Sequence, residues 1–500
     1  MSSITQLNEL RSFGGAIRTH GLDDATVERF AQEDRDLAVA IDAAHVLFTQ
    51  LKNEMPDLLK LDEAEQLARV QADYVNFYAV DAINPYVALA ARGPWIVTLK
   101  GGVIYDVGGY GMLGLGHTPQ AVLDALAKPQ VMANIMTPNL SQLRFANAIK
   151  QEIGHTRATQ EAPYSNFLCL NSGSEAVGLA LRIADVNAKL ATDANGKHAG
   201  KTIKRLAVKG AFHGRTDRPA IYSDSSRKAY AQNLASFRDE KSLITVEPYN
   251  VDQLRAAFAD AEKNGWFIEA MLLEPVMGEG DPGRAVTPEF YAAARELTRA
   301  HGTLFMVDSI QAGLRAHGVL SVVDYPGFEK LDAPDMETYS KALSAGQYPL
   351  SVLAVNARAA ALYRTGIYGN TMTANPRALD TACAVLASIT PELRANVRVR
   401  GAEFIDKLQK LQKELPGLIT KVQGTGLLFS CELAPQFKCY GAGSTEEWLR
   451  EHGVGVIHGG TNSLRFTPHF AVSSAEADLV VAGVRQALLH GSRQSVNAAA

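Results

Sequence analysis

The chain has little of what marks several common classes of protein. It carries only four cysteines in 500 residues. These are Cys169, Cys383, Cys431 and Cys439, and none belongs to a Cys-x-x-Cys or Cys/His cluster with zinc spacing. A disulfide scaffold is excluded on that ground, no metal is expected, and the thiols read as small buried hydrophobes. No uninterrupted apolar run reaches membrane-spanning length, and the start, MSSITQLNELRSFGG, lacks the basic opening and apolar core of a secretory leader. Neither sign of charge dominates: 49 Lys and Arg face 53 Asp and Glu, for a net charge of -4. That balance gives no grip on nucleic acid or on an anionic membrane. The expectation is a cytoplasmic protein whose partners are small molecules.

What is present is a large α/β pattern, too long for one hydrophobic core. Residues 1–94 read as a helical N-terminal segment, with apolar residues returning every three or four positions in DDATVERFAQEDRDLAVAIDAAHVLF. Residues 95–375 bring short apolar runs, WIVTL, VIYDV, NFLCL, RLAVKG, EAMLLEP and TLFMVD, most of them followed by helical stretches. That alternation predicts a mostly parallel sheet flanked by helices, with ligands at the carboxyl ends of its strands. Residues 376–500 shift to long helices and a few strands, predicting a smaller α+β C-terminal domain; the tail SVNAAA is expected to fray.

The run DVGGYGMLGLGH spaces Gly109, Gly111 and Gly114 as G-x-G-x-x-G, which would suit a dinucleotide. That reading needs a helix opening at the glycines and an acidic residue about twenty positions on. Pro119 interrupts the way into the next helix, and no Asp or Glu lies between Asp124 and Glu152. An NAD-dependent oxidoreductase therefore rests on the glycines alone.

Three other places carry chemistry. After NFLCL, Asn171, Ser172, Gly173 and Ser174 lead into a helix, where small residues expose backbone N–H groups to a phosphate; Ser172 or Ser174 could equally be an ordinary N-cap. Asp308 ends the run TLFMVD, as a helix cap or as an acid facing a cationic ring nitrogen, with Gln311 three residues on. Lys341 lies among apolar and small residues in YSKALSAGQYPLSVLAV. A lone lysine is usually a solvated surface charge, but desolvation lowers a lysine pKa and readies it to attack a carbonyl. Together these are the parts needed to hold pyridoxal 5'-phosphate (PLP).

On these motifs and their order, over roughly Asn84 to Gln486, the chain resembles the class III, omega-type aminotransferases, PLP enzymes of fold type I. The resemblance implies that Gly173 and Ser174, in NSGSEA with Ser172, hold the cofactor phosphate. It places Phe212 of AFHGRT, beside His213, on the ring face. Asp308 would meet the pyridine nitrogen, Gln311 the ring hydroxyl, and Lys341 of SKAL would carry the cofactor and move the proton. Thr371 of GNTMTANP would reach the phosphate bound by a neighbouring subunit, implying a homodimer with shared active sites.

Within the family, the chain resembles the ornithine, acetylornithine and lysine-epsilon aminotransferases. Glu279 of EPVMGEGDPG and Arg465 of SLRFTP then match a gate, in which the glutamate neutralises the arginine while an omega-amine donor enters. The glutamate releases the arginine to clamp the carboxylate of glutamate or 2-oxoglutarate. Arg215, a structural salt bridge on the alternative reading, and Tyr110, seven residues before His117, match groups that bind the donor's carboxylate. The implied activity is ping-pong transfer of an amino group from an omega-amino acid or amine to 2-oxoglutarate or another keto acid. A PLP racemase, decarboxylase or aminomutase on the same scaffold is the alternative. Ser309 stands where an acidic residue usually follows the aspartate, and Ser344, Ala345, Thr373 and Ala374 replace usual glycines, so a reshaped pocket is expected.

Overall fold

A computed structural model describes residues 1–494; the tail expected to fray, 495–500, lies outside the described residues. Two compact units emerge, residues 121–398 and residues 1–120 together with 399–500.

The first unit is built on seven strands: β1 Asn166–Leu170, β2 Thr202–Val208, β3 Leu243–Val246, β4 Trp266–Leu273, β5 Leu304–Asp308, β6 Met336–Tyr339 and β7 Ser351–Val355. Their order in the sheet is β1-β7-β6-β5-β4-β2-β3. Neighbours from β6 through β3 pair in parallel, whereas β7 runs antiparallel to both β6 and β1. The central strands are buried on both faces, which is why LFMVD and SVLAV read as continuous apolar runs rather than alternating ones. The helix Gly173–Thr192 covers one face with Val177, Leu181 and Ala184, packed into a core shared with Leu272, Met306 and Leu353.

In the other unit, strands Ala88–Arg92, Trp95–Thr98 and Val103–Asp106 form an antiparallel meander. Its last strand pairs in parallel with Val454–Gly455, through Tyr105↔Val454 and Asp106↔Gly455. A second sheet, of Ile419–Thr425, Leu428–Leu433, Ser463–Phe466 and Ile457–Gly459, is antiparallel throughout. The stacked rings of Phe404, Phe429 and Phe466 sit beneath it, with centroids 4.6 and 5.0 Å apart. The compact units thus differ from the division at 94 and 375. The first hundred residues join the last hundred, because strand pairing between distant segments outweighs the local change from helical to strand pattern.

The N-terminal helical pattern is also broken where it looked continuous. Helices Asp24–Glu33 and Arg35–Glu54 meet at Asp34, which is extended and caps the second helix through Asp36 N–H. The other carboxylate oxygen of Asp34 accepts from the Trp95 indole at 2.6 Å. Lys100, buried at 2% exposure, donates to the carbonyls of Leu61 at 2.6 Å, Leu59 at 3.3 Å and Gly14. Lys100→Met strands those three acceptors. It should destabilise this unit by about 3 kcal/mol, read as a lower urea midpoint and faster proteolysis within residues 1–75. No helix among the described residues is long and apolar enough to cross a membrane, and none of their His, Cys, Asp and Glu side chains cluster as a metal site.

Candidate active site

In the unit spanning residues 121–398, all the marked residues but Thr371 fall in the segments that follow the carboxyl ends of five strands of the large sheet. Asn171 to Ser174 follow β1, Phe212, His213 and Arg215 follow β2, Glu279 follows β4, Asp308 ends β5 with Gln311 after it, and Lys341 follows β6. Ligand crevices in α/β sheets form at that edge.

Ser172 is the N-cap of the helix Gly173–Thr192. Its hydroxyl accepts from Glu175 N–H, while the Glu175 carboxylate accepts from Asn171 and Ser172 N–H. The cap therefore occupies Ser172, and Gly173 and Ser174 are left in the first turn, where N–H groups and the helix dipole favour an anion. A Cβ on Gly173 would stand 2.7 Å from Ile310 Cδ1, so the glycine lets the loop after β5 pack close to the start of this helix.

At the other end of this group, Asp308 is 4% exposed. One of its oxygens accepts from His213 Nδ1 at 2.9 Å and the other from Thr338 Oγ1 at 3.1 Å and Ile310 N–H at 3.2 Å. An ionised carboxylate only accepts, so His213 carries its proton on Nδ1 here. His213 is itself held by Ser223 Oγ, which accepts from its N–H at 2.9 Å. Lys341 Nζ donates to Gln311 Oε1, and the Arg215 guanidinium lies 5.3 Å from the Phe212 ring centroid. Thr371 is exposed.

This donor set fits PLP: an anion-receiving helix start, a buried carboxylate able to face a protonated ring nitrogen, and a lysine among them. Gln311 Nε2, a donor, and His213 Nε2, an acceptor while Nδ1 carries the ring proton, are buried polar atoms with no partner among the described residues. The replaced glycines prove to be backbone features: Ala345 (φ 50°) and Ala374 (φ 55°) hold left-handed conformations. Each costs about 1 kcal/mol without glycine.

In the unit of residues 1–120 and 399–500, Arg465 is buried in the centre of the antiparallel sheet, opposite Ser430 and Ile457. Tyr110 lies in the same unit. Burial and a hydrogen bond with Tyr78 push its phenol above the ordinary range, while the charges of Arg450 and Arg465 pull it down. The Tyr78 and Tyr110 ring centroids are 5.9 Å apart. The glycine run around Tyr110 opens no helix. A Cβ on Gly109 would strike Ile457, so these glycines serve close backbone packing rather than a dinucleotide.

A model of the class III aminotransferases matches residues 77–488. The chain belongs to that family. This class III aminotransferase is 29% identical to an ornithine aminotransferase of Staphylococcus epidermidis over 406 residues, 80% of this chain and 93% of that protein. Among solved structures, an ornithine aminotransferase of Toxoplasma gondii matches with a TM-score of 0.71 at 24% identity, covering 88% of this chain and 98% of that one. An acetylornithine aminotransferase of Elizabethkingia anophelis matches with 0.68 at 24% identity, covering 85% and 99%. The likeness in structure supports the fold type I architecture. Class III aminotransferases use PLP, and a second Toxoplasma gondii structure is described with partial occupancy of PLP at its active site. The aminotransferase takes an amino donor and a keto acid, and the NAD reading ends with the family.

One group in this aminotransferase had no expected role. Glu274, 5% exposed, accepts from Phe212 N–H at 3.0 Å and Gly278 N–H at 2.9 Å, tying the loop of Phe212 to the loop of Glu279. Its strand-end position, like that of Asp308, was the available signal. Burial pushes its carboxyl up to about 7; Asp308 adds to the rise, and His213 and the two N–H groups oppose it. A carboxyl raised on folding contributes stability that is full below about 4.5 and lost as pH rises through about 7. Glu274→Gln, which cannot ionise, should therefore gain on wild type by up to about 3 kcal/mol between about pH 5 and pH 8. Parallel thermal melts across that range check this, and a constant difference would contradict it.

Proposed function

We propose that this aminotransferase moves the amino group of an omega-amino acid, or a related amine donor, to 2-oxoglutarate in a ping-pong cycle. The observation that carries the reading is the buried Arg465 in the same unit as Tyr110, close enough for its charge to act on the phenol. The planar fork of a guanidinium suits a carboxylate, which it grips with two parallel hydrogen bonds.

Bound PLP supplies an electron sink for the pair left when the substrate carbon loses its proton. Asp308, steadied by His213 and Thr338, keeps the ring nitrogen protonated. Lys341 holds the cofactor in the resting enzyme and afterwards moves the proton through Nζ, with Gln311 orienting it and meeting the ring hydroxyl. Gly173 and Ser174 take the phosphate, and Phe212 covers the ring face. On the family resemblance, Arg465 would clamp the carboxylate of the keto acid, Glu279 would be its counter-charge when no carboxylate is bound, and Tyr110 and Arg215 would take the far carboxylate of the donor.

A homodimer with shared sites accompanies this reading. Thr371 is exposed on the single chain, as a residue serving a neighbour's phosphate would be, and Met132, Met136, Leu140 and Leu143 are exposed apolar residues in one short stretch. Four free thiols support a reducing, cytoplasmic setting.

The test is glutamate formation by the PLP-loaded protein from 2-oxoglutarate and a panel of omega-amino acids and simple amines. Arg465→Gln should raise KM for 2-oxoglutarate by about tenfold to a hundredfold and barely touch the half-reaction with an uncharged amine. Equal KM values in the two proteins would remove Arg465 as the clamp. Racemisation without glutamate would replace the whole reading.

A further inference from the structure

Glu337, in β6, is fully buried at 0% exposure. Its carboxylate accepts from Ser309 Oγ at 2.5 Å, Ser321 Oγ at 2.6 Å, the Tyr164 hydroxyl at 2.6 Å and Val322 N–H at 2.9 Å. Four donors on one carboxylate are what a buried charge needs. The next residue, Thr338, points to the opposite face of β6 and donates to Asp308. Asp308 lies directly opposite Thr338 in the sheet, and Ser309 N–H donates to the Thr338 carbonyl at 3.0 Å. β6 thus grips two consecutive residues of the β5 end, Asp308 with one side chain and Ser309 with the next.

We propose that Glu337 is a positioning residue that, by anchoring Ser309, fixes the direction in which Asp308 presents its carboxylate to the cofactor's ring nitrogen. The inference rests on the assignment of Asp308 in the proposed function. Geometry gives it force: Asp308 ends β5, so the residue after it helps set how the chain turns at that strand end, and among the described residues Ser309 Oγ is held by the side chain of Glu337. A carboxylate that swings off the ring axis weakens the pairing it exists to make.

The experiment compares holoenzyme variants Ser309→Ala, Ser321→Ala, Glu337→Gln and Asp308→Asn. It follows the midpoint of the pH-dependent change in the cofactor's visible absorbance, the thermal midpoint, kcat and KM. Ser309→Ala should move the absorbance midpoint in the same direction as Asp308→Asn, by less, and lower kcat about tenfold with KM for 2-oxoglutarate within about twofold. Glu337→Gln should do the same. Ser321→Ala removes an equally buried bond to the same carboxylate away from Asp308, and should lower only the thermal midpoint. If Ser309→Ala and Ser321→Ala lose thermal stability alike while the absorbance midpoint stays at the wild-type value, Glu337 is merely structural and the inference fails. Should Asp308→Asn itself leave the midpoint unmoved, Asp308 is not the ring's partner, and the proposed function loses that residue together with this inference.

Discussion

Lys341→Ala should cut amino transfer by about three orders of magnitude or more, with the protein still folded and still able to take up PLP. A positioned proton carrier contributes roughly a hundredfold to ten-thousandfold, and this lysine also holds the cofactor in the resting state. Lys341 opens the short turn Lys341–Ser344 with φ 43°, a conformation that alanine enters at the same backbone cost. Its Nζ bonds Gln311, whereas Asp308 is held by His213, Thr338 and Ile310 N–H, none of which the substitution removes. Loss of rate with retention of the fold therefore separates chemistry from architecture. Stopped-flow rates for the donor half-reaction, with circular dichroism as control, decide it; a variant within tenfold of wild type would rule out Lys341 as the proton carrier. A small soluble amine should restore part of the rate, because it can reach the vacated position.

Asp308→Asn should lower kcat by about tenfold to thousandfold while leaving KM for the donor nearly unchanged. An opposite charge beside a cationic nitrogen raises its pKa by about 1–3, and that is the range of rate lost if the ring nitrogen must stay protonated. Asparagine keeps an oxygen for the Thr338 hydroxyl and turns its amide toward His213 Nδ1, which can accept once the ring proton moves to Nε2, so the cost falls mainly on charge rather than on shape. Single-turnover kinetics with an omega-amino acid read the effect. An unchanged kcat would mean that the pairing of His213 and Asp308 serves folding alone.

The strands that position these residues were legible because each is a short apolar run ended by a polar residue, and strand ends in such sheets are where ligands gather. Asp308, Lys341 and the loop after β1 stood out for that reason. The left-handed backbone at Ala345 and Ala374 was foreshadowed by the loss of glycines at those places. Other features had no local signature. Ser309 looked like a missing acid, but its hydroxyl meets Glu337 of the adjacent strand, so the carboxyl is supplied from 28 residues away in sequence. Glu274 went unremarked because nothing in EPVMGEG tells that two N–H groups will enclose it. Asp34 disappeared into an acidic helical pattern, although it is extended between the two helices, capping the second and accepting from Trp95. The pairing of Tyr105 with Val454 joins segments more than three hundred residues apart, and helical or strand periodicity carries no information at that range.

That same pairing imposes an order of events during synthesis. The strand Val103–Asp106 leaves the ribosome early, but its parallel partner at Val454–Gly455 is made only after the whole of residues 121–398. At about 5–20 residues per second the wait is on the order of tens of seconds. For that time a buried-type strand has one edge uncovered, and exposed edges recruit other chains. Its yield on expression should therefore depend on translation speed between codons 107 and 453 more than on the final stability of the enzyme, which soluble yields from slowed and unslowed coding sequences would read.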